Sequence, residues 1–187
     1  MNSDSLKNQF LIAMPQLEDP NFEHSITYII EHNEDGAMGL TLNRPVNISY
    51  DDVLEDLGIE CEILIGQRHQ VVAGGPVQTE AGFILHPALE TPFTSTVQLS
   101  TELWLTTSRD ILEAIADGKG PSQSLMALGY AGWTAGQLEE ELAQNSWLTV
   151  PASAEIIFDV PFDERWKSAA RSLGVDIQLL SGEAGHG

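Results

Sequence analysis

Two strand-like segments joined by a tight turn constrain this chain more than any other feature of its sequence. Residues 24–32 are rich in β-branched and aromatic side chains, which favour an extended strand. The next four residues, 33–36, have the sequence NEDG and end in Asp-Gly, a strong signal for a β-hairpin. Residues 37–42 are the predicted returning strand, and the NRP sequence at 43–45 ends it. The pattern therefore predicts an antiparallel hairpin near the start of the chain.

The rest of the chain mixes helix and strand patterns in an irregular order. Further strands are predicted at residues 9–14, 82–86, 97–105, 124–131, 147–150 and 155–160. Helices are predicted at residues 50–57, 109–116, 135–144 and 163–173. Because strands and helices do not alternate regularly, the order favours an α+β fold over a succession of βαβ units. The 187 residues, 42% of them apolar, predict a single domain over 1–187 with loose ends at 1–8 and 181–187.

Three of the predicted helices begin with capping signals. Ser49 followed by Asp52 is a weaker form of the capping box, and Thr134 followed by Gln137 is a full one. Ser108 is the predicted N-cap of the helix at 109–116. A side-chain oxygen at an N-cap accepts a hydrogen bond from a backbone N–H of the first turn, so these residues predict where each helix begins.

The net charge of the chain indicates which classes of binding partner are favoured and which are disfavoured. The chain has 28 Asp and Glu residues against 8 Lys and Arg residues, a formal net charge of −20. Duplex DNA and anionic membranes would repel such a chain, because affinity for both comes largely from Lys and Arg. The acidic excess predicts either simple solubility or a cationic partner, such as a basic protein patch, a polyamine or a metal ion.

One basic concentration lies on the predicted helix at 163–173, and it consists of Arg165, Lys167 and Arg171. Asp163 and Glu164 flank these residues, which favours a solvated helix face with local ion pairs. A phosphate-binding helix is the alternative.

Several further classes of protein do not fit the sequence. A single cysteine, Cys61, excludes a disulfide-stabilised scaffold. No apolar run approaches the roughly 20 residues that a membrane-spanning helix needs. The first eight residues are polar, include Asp4 and do not resemble a signal peptide. We therefore expect a cytoplasmic protein with no membrane association.

Long strings rich in Gly, Trp and Asn span almost the whole chain. They include FLIAMP at 10–15, DPNFEHSITYIIEHNEDGAMGLTLNRP at 19–45, GGPV at 74–77, LGYAGWTAGQLEEEL at 128–142 and RWKSAARSLGVD at 165–176. Together they resemble the YqgE/AlgH family of bacterial proteins. The resemblance implies a single compact α+β domain whose branched sheet, mixed or antiparallel, closes partly into a small barrel surrounded by helices. The family is often labelled a transcriptional regulator, so the resemblance also implies a regulatory role.

Three polar clusters contain the candidate ligand-binding residues. The first two clusters lie at the turn and at the far end of the predicted hairpin, and they are His32 with Asn33 and Asn43 with Arg44. The third is rich in glycine and aromatic residues, and it consists of Gly129, Tyr130, Gly132 and Trp133, followed by Gln137. Arginine suits a carboxylate or phosphate, and aromatic rings offer flat faces to a ligand. Turn formation, local ion pairing and internal packing are the structural alternatives for the three clusters.

Nucleophilic catalysis and metal binding have little support in the sequence. Cys61 lies between two glutamates, which disfavour a thiolate. His24 and His32 would be about 26 Å apart on one straight strand, and His86 belongs to another, so neither a metal site nor a cofactor is predicted.

These observations favour a non-enzymatic binding or regulatory protein. Its expected partner is another protein or a small-molecule ligand, and its expected regulatory effect does not pass through direct DNA binding. The alternative is a hydrolase-like enzyme that acts on a small polar substrate, with His32 or His86 as the base.

Overall fold

The computed structural model describes residues 5–17, 19–20 and 22–180. The predicted loose tail at 181–187 and the first four residues of the predicted loose start lie outside the described residues. The strands are β1 Gln9–Ala13, β2 Ile26–Asn33, β3 Gly36–Thr41, β4 His69–Ala73, β5 Val77–Pro87, β6 Thr96–Gln98, β7 Leu103–Thr106, β8 Ser124–Thr134 and β9 Trp147–Pro151. The helices are α1 Tyr50–Asp56, α2 Asp110–Ala116, α3 Gln137–Ala143, α4 Ala154–Phe158 and α5 Arg165–Arg171, with 3₁₀ turns at Phe162–Glu164 and Ile177–Leu180. Within the described ranges, none of these helices has the length and apolar character of a membrane span.

One branched sheet organises the molecule. Its strand order is β6-β7-β5-β8-β3-β2-β1-β9, all neighbours are antiparallel, and β4 joins β8 as a parallel branch. One edge of β8 pairs first with β4, as far as Leu128, and then with β3, from Ala131. The sheet curls into a half-barrel with helices around it, which confirms the predicted α+β class.

Gly129 lies where β8 changes partner. Its φ is +78°, and a Cβ at this position would lie 2.5 Å from the carbonyl oxygen of Gly75. Both the left-handed backbone and the close approach of a second chain segment require glycine here.

Three apolar clusters hold the helices on the sheet. The largest joins the hairpin and β1 to α4 and α5, and includes Phe10, Tyr28, Leu40, Phe158 and Trp166. The second joins α1 and α2 to β4, β5 and β8, and includes Tyr50, Leu54, Ile111 and Met126. The third lies under α3 and includes Leu11, Trp133, Leu138 and Trp147.

The predicted hairpin is confirmed. Thr27 of β2 pairs with Thr41 of β3, and Asn33 pairs with Gly36 at the turn. The side-chain oxygen of Asn33 accepts a hydrogen bond from the Asp35 N–H at 2.8 Å, so Asn33 shapes the turn.

Two predicted strands are wrong. Residues 97–105 form two short strands, β6 and β7, with a turn between them. Residues 155–160 were expected to be extended, but α4 occupies Ala154–Phe158. The Ser153 hydroxyl accepts from the Ile156 N–H at 3.4 Å and caps this helix. An apolar run this short fits a buried helical turn as well as a strand, and the cap decides between them.

Of the three predicted caps, only the first is complete. Ser49 and Asp52 form the reciprocal capping box of α1. The Ser108 hydroxyl instead donates to Asp110 at 2.5 Å, and α2 has no side-chain cap. Gln137 accepts from the Thr134 N–H at 3.0 Å, but the left-handed Gly136 is the N-cap residue of α3, so the helix begins later than predicted.

Residues 5–8, expected to belong to a loose terminus, run beside β2. The Asn8 N–H donates to the Ile29 carbonyl at 2.8 Å, and the Tyr28 hydroxyl donates to the Asn8 side chain at 2.6 Å. These bonds attach the start of the described chain to the sheet.

Candidate functional site

The structure brings four of the predicted site residues to the turn end of the hairpin. His32 of β2 pairs with Ala37 of β3, and Ala37 in turn pairs with Trp133 of β8. Asn33 forms the adjoining turn, and Gln137 opens α3, which packs beside the same strands.

The side chains of this group are already bonded within the protein. His32 is buried, and its Nδ1 accepts from the Leu6 N–H at 2.8 Å. A Glu139 carboxylate oxygen lies 3.3 Å from His32 Nε2 without reaching hydrogen-bond geometry. Trp133 is 5% exposed and stacks on Phe22, and its Nε1 donates to Glu141 at 3.0 Å. These contacts match the internal-packing alternative for the cluster of Trp133, and they bury His32 against the start of the described chain.

Asn43 and Arg44 lie at the opposite end of the hairpin. Asn43 accepts from the Ile26 N–H at 3.2 Å and donates to the His24 carbonyl at 2.9 Å. Arg44 donates to the Glu23 carbonyl at 2.6 Å. Both side chains therefore fix the loop before β2, and the structure does not bring them to His32.

The remaining predicted residues are spread along β8. Gly129 is at the sheet branch, Gly132 pairs with Met38, and Tyr130 packs edge-on against Phe83 with ring centroids 5.9 Å apart. The three clusters therefore lie at separate places in the fold, because the hairpin and β8 are long enough to separate their ends.

A cavity that the sequence did not predict lies between α1 and β4. This α1–β4 cavity has a volume of about 600 Å³ and is lined by residues 45–46, 48–51, 65–67, 69–71 and 161–163. Its walls are mainly apolar and include Val46, Ile48, Ile65 and Phe162. Its polar lining includes His69, Gln67, Gln70, Asp51 and Asp163.

A hydrogen-bonded chain sets the tautomer of His69. The Tyr50 hydroxyl is 2.6 Å from Ser124 Oγ, which is 2.8 Å from His69 Nδ1. Tyr50 is buried, and its hydroxyl proton has no other acceptor among the described residues. Tyr50 therefore donates to Ser124, Ser124 donates to Nδ1, and the ring proton of His69 lies on Nε2.

Burial keeps the His69 ring neutral. Desolvation lowers the pKa of His69, and the nearby Arg68 charge lowers it further. Burial also raises the pKa of the Tyr50 hydroxyl, which keeps its proton available for the chain. The imidazole therefore offers an N–H donor at Nε2.

Arg165 lies directly behind this cavity. It is fully buried and donates to the Val160 carbonyl at 2.8 Å, the Leu42 carbonyl at 2.6 Å and the Gln70 side chain at 2.6 Å. Its guanidinium stacks on Phe162, 4.5 Å from the ring centroid. No carboxylate of the described residues pairs with it. Burial lowers the pKa of Arg165 to about 10, so it is charged at neutral pH.

The predicted solvated face of α5 is therefore wrong for Arg165. Arg165 is on the buried face of α5 together with Trp166 and Ala169. The ion-pair part of the prediction holds for Arg171, which is exposed and lies 3.5 Å from a Glu164 oxygen.

The end of α1 and the segment that follows it combine exposed carboxylates with exposed apolar side chains. We call residues 55–64 the acidic loop. Its carboxylates, all exposed, are Glu55, Asp56, Glu60 and Glu62. Three large apolar side chains of the loop are also exposed: Leu57 by 42%, Ile63 by 44% and Leu64 by 98%. Ile59 and Cys61 pack against the second apolar cluster and anchor the loop.

The sequence around the acidic loop is acidic, whereas Arg68 lines a groove with Ile63 and Leu64, and Arg109 lines the recess beside Leu57. Residues 45–67 contain no Lys or Arg. Leu57 also lines a second cavity of about 580 Å³ between α1 and α2, whose walls include Val53, Leu112 and Met126. The acidic loop therefore lies beside an apolar recess.

The other histidines within the described ranges, His24, His32 and His86, do not line the α1–β4 cavity. His86 is buried, and its Nε2 accepts from the Thr106 hydroxyl at 2.7 Å. His24 packs on Trp166 with ring centroids 4.5 Å apart. Across the ranges that the structure describes, no group of three or more His, Cys, Asp or Glu side chains is placed to hold a metal ion.

Comparison with known proteins identifies the family. A sequence model of the AlgH-like family matches residues 10–178. The chain belongs to the AlgH-like family. A UPF0301 protein of Alcanivorax borkumensis is 59% identical to the AlgH-like chain over 186 residues, covering 100% of this chain and 98% of the relative. A UPF0301 protein of Thioalkalivibrio sulfidiphilus is 54% identical over 184 residues, covering 98% of each.

Two solved structures are similar to the AlgH-like chain. The solution structure of AlgH from Pseudomonas aeruginosa is 50% identical, with a TM-score of 0.77, and covers 100% of this chain and 98% of that one. A crystal structure of a Corynebacterium diphtheriae protein is 20% identical, with a TM-score of 0.74, and covers 97% of this chain and 94% of that one, which shows the fold alone. The family predicted from the sequence strings is thus confirmed.

Proposed function

We propose that this AlgH-like chain is a binding protein with a regulatory role, and that its acidic loop docks on a basic segment of a partner protein. The observation that carries the proposal is the combination of four exposed carboxylates with three exposed large apolar side chains in ten consecutive residues. Exposed apolar groups rimmed by polar ones are typical of interaction surfaces.

The two kinds of side chain have different tasks in this proposal. Burying the fully exposed Leu64 against a partner would contribute about 1.5–3 kcal/mol. The carboxylates would attract Lys and Arg side chains, speed association and reject acidic partners. The recess beside Leu57 would accept an apolar side chain of the partner.

A protein partner fits this surface better than DNA does. The acidic loop would repel phosphates, and residues 45–67 supply no cation to neutralise them. A regulatory effect of this chain in the cytoplasm would therefore pass through another protein.

Titration of the labelled chain with two defined peptides tests the proposal by NMR. The first peptide alternates Lys with Leu, and its control alternates Lys with Ser. We expect shifts concentrated in the acidic loop and an affinity for the Lys-Leu peptide about tenfold higher, since each buried leucine contributes. Leu64→Ser should weaken binding, whereas Leu173→Ser, at an exposed leucine in the turn after α5, should not. Equal binding of both peptides, with shifts spread over all surface carboxylates, would refute the proposal.

A hydrolase-like enzyme is the second candidate, and one observation favours it. His69 shares the α1–β4 cavity with Asp51 and Asp163, whereas His32 and His86 are buried and bonded. However, a general base needs a free lone pair, and His69 offers an N–H there. Reversing the chain would leave the Tyr50 proton without its acceptor. Hydrolysis of simple nitrophenyl esters or phosphates that is abolished by His69→Gln would establish the enzyme instead.

A further inference from the structure

The inner end of the α1–β4 cavity attracts negative charge. His69 lines the cavity, and the bond from Ser124 to its Nδ1 leaves the ring proton on Nε2, where it can be donated to a ligand. Arg165 touches the lining residues Gln70 and Phe162 from behind, and no described carboxylate neutralises it. Because the medium around a buried charge is weakly polarisable, the field of Arg165 extends into the cavity.

The outer end of the same cavity attracts positive charge. Asp51 at the start of α1 and Asp163 in the 3₁₀ turn are both exposed and line the cavity. None of the described residues that line it is a Lys or Arg. Val46, Ile65 and Phe162 contribute apolar wall to the same cavity.

We propose that the α1–β4 cavity binds a small zwitterion of the α-amino-acid type with an apolar side chain. Its carboxylate accepts the hydrogen bond from His69 Nε2 and lies in the field of Arg165. Its ammonium group meets Asp51 and Asp163, and its side chain covers the apolar wall. A volume of about 600 Å³ is within the range of small-molecule sites. The site is separate from the acidic loop, which does not line this cavity, so either can be right without the other.

Three probes that share one ring system separate the charge requirements. They are L-phenylalanine, 3-phenylpropionate, which lacks the ammonium group, and 2-phenylethylamine, which lacks the carboxylate. We expect saturable NMR shifts at His69 and Ile65 with L-phenylalanine, and an affinity about tenfold higher than for either analogue. If 3-phenylpropionate bound as tightly as L-phenylalanine or more tightly, the proposal of a zwitterionic ligand would be overturned. No saturable shift with any probe at about 10 mM would overturn the site.

Variants assign the two ends of the cavity. Asp163→Asn should lower the affinity for L-phenylalanine roughly two- to fivefold and leave the affinity for 3-phenylpropionate unchanged or higher. His69→Ala should weaken both carboxylate-bearing probes. Glu155→Gln is the control, because Glu155 is exposed on α4 and does not line the cavity. If Asp163→Asn behaves like Glu155→Gln, the assignment is wrong. If His69→Ala does not fold, the comparison of Asp163→Asn with the control variant still tests the proposed site.

Discussion

Replacing Arg165 with methionine tests the buried guanidinium that joins α5 to the sheet. The side chain donates to two backbone carbonyls, of Leu42 and Val160, and to the Gln70 side chain. Methionine keeps much of the apolar stem but leaves both carbonyls without this donor. Each such acceptor costs about 1–3 kcal/mol in the interior, whereas Gln70 can turn toward the cavity.

The expected net effect is smaller than the sum of these costs. Removing a charge that has no carboxylate partner recovers part of its desolvation energy. We therefore expect Arg165→Met to lower the free energy of unfolding by about 2–4 kcal/mol. For a chain of this length, that corresponds to a decrease in Tm of roughly 4–16 °C.

Urea unfolding followed by circular dichroism measures the difference, with Arg171→Met as the matched control. Arg171 is on the same helix but is exposed, and its ion pair with Glu164 is worth at most about 1 kcal/mol. The reasoning fails if Arg165→Met, with an unchanged m-value, is no more destabilising than Arg171→Met.

Two further perturbations test the cavity and the sheet branch. Burial lowers the pKa of both His69 and His86 relative to the unfolded chain, so the unfolded state binds more protons below about pH 6.5. The histidines' contribution to the free energy of unfolding should be fully present above that pH and decrease as the pH falls toward the lowered folded-state pKa values. Urea unfolding at a series of pH values from 7 to 5 measures this dependence, and His69→Gln should make the free energy of unfolding change less with pH. An unchanged dependence on pH would contradict this. Gly129→Ala should destabilise by about 2 kcal/mol or more, because it combines a φ of +78° with a Cβ 2.5 Å from the Gly75 oxygen. Thermal unfolding measures the loss of stability, and Gly66→Ala is the control, since a Cβ at Gly66 meets nothing within 4 Å. Equal Tm values of the two variants would refute the argument that the sheet branch requires glycine at position 129.

The hairpin and the first helix could be predicted because their signals are local. Asn33 and Gly36 form the turn that their sequence favours, and Ser49 with Asp52 forms the capping box that their spacing favours. The same approach failed for residues 155–160, because the periodicity of so short an apolar run does not distinguish a strand from a helical turn.

The α1–β4 cavity had no local signal. His69 and Ser124 are 55 residues apart, and only the parallel pairing of β4 with β8 brings them together. Arg165 did carry a weak signal, because it is four residues before Ala169 and next to Trp166, on the apolar stripe of its helix. Trp133 was distinctive in sequence for a structural reason, since its ring packs on Phe22.

Photo-crosslinking in the native host tests the docking proposal most directly. A photoreactive amino acid replaces Leu64, which is 98% exposed in the acidic loop, or Leu173, which is 44% exposed in the turn after α5. We predict that position 64 crosslinks reproducibly to one partner through a Lys- or Arg-rich segment, that position 173 does not, and that neutralising Glu60 and Glu62 as glutamines abolishes the crosslink. Crosslinks from both positions to the same proteins, or a partner attached through an acidic segment, would contradict the account.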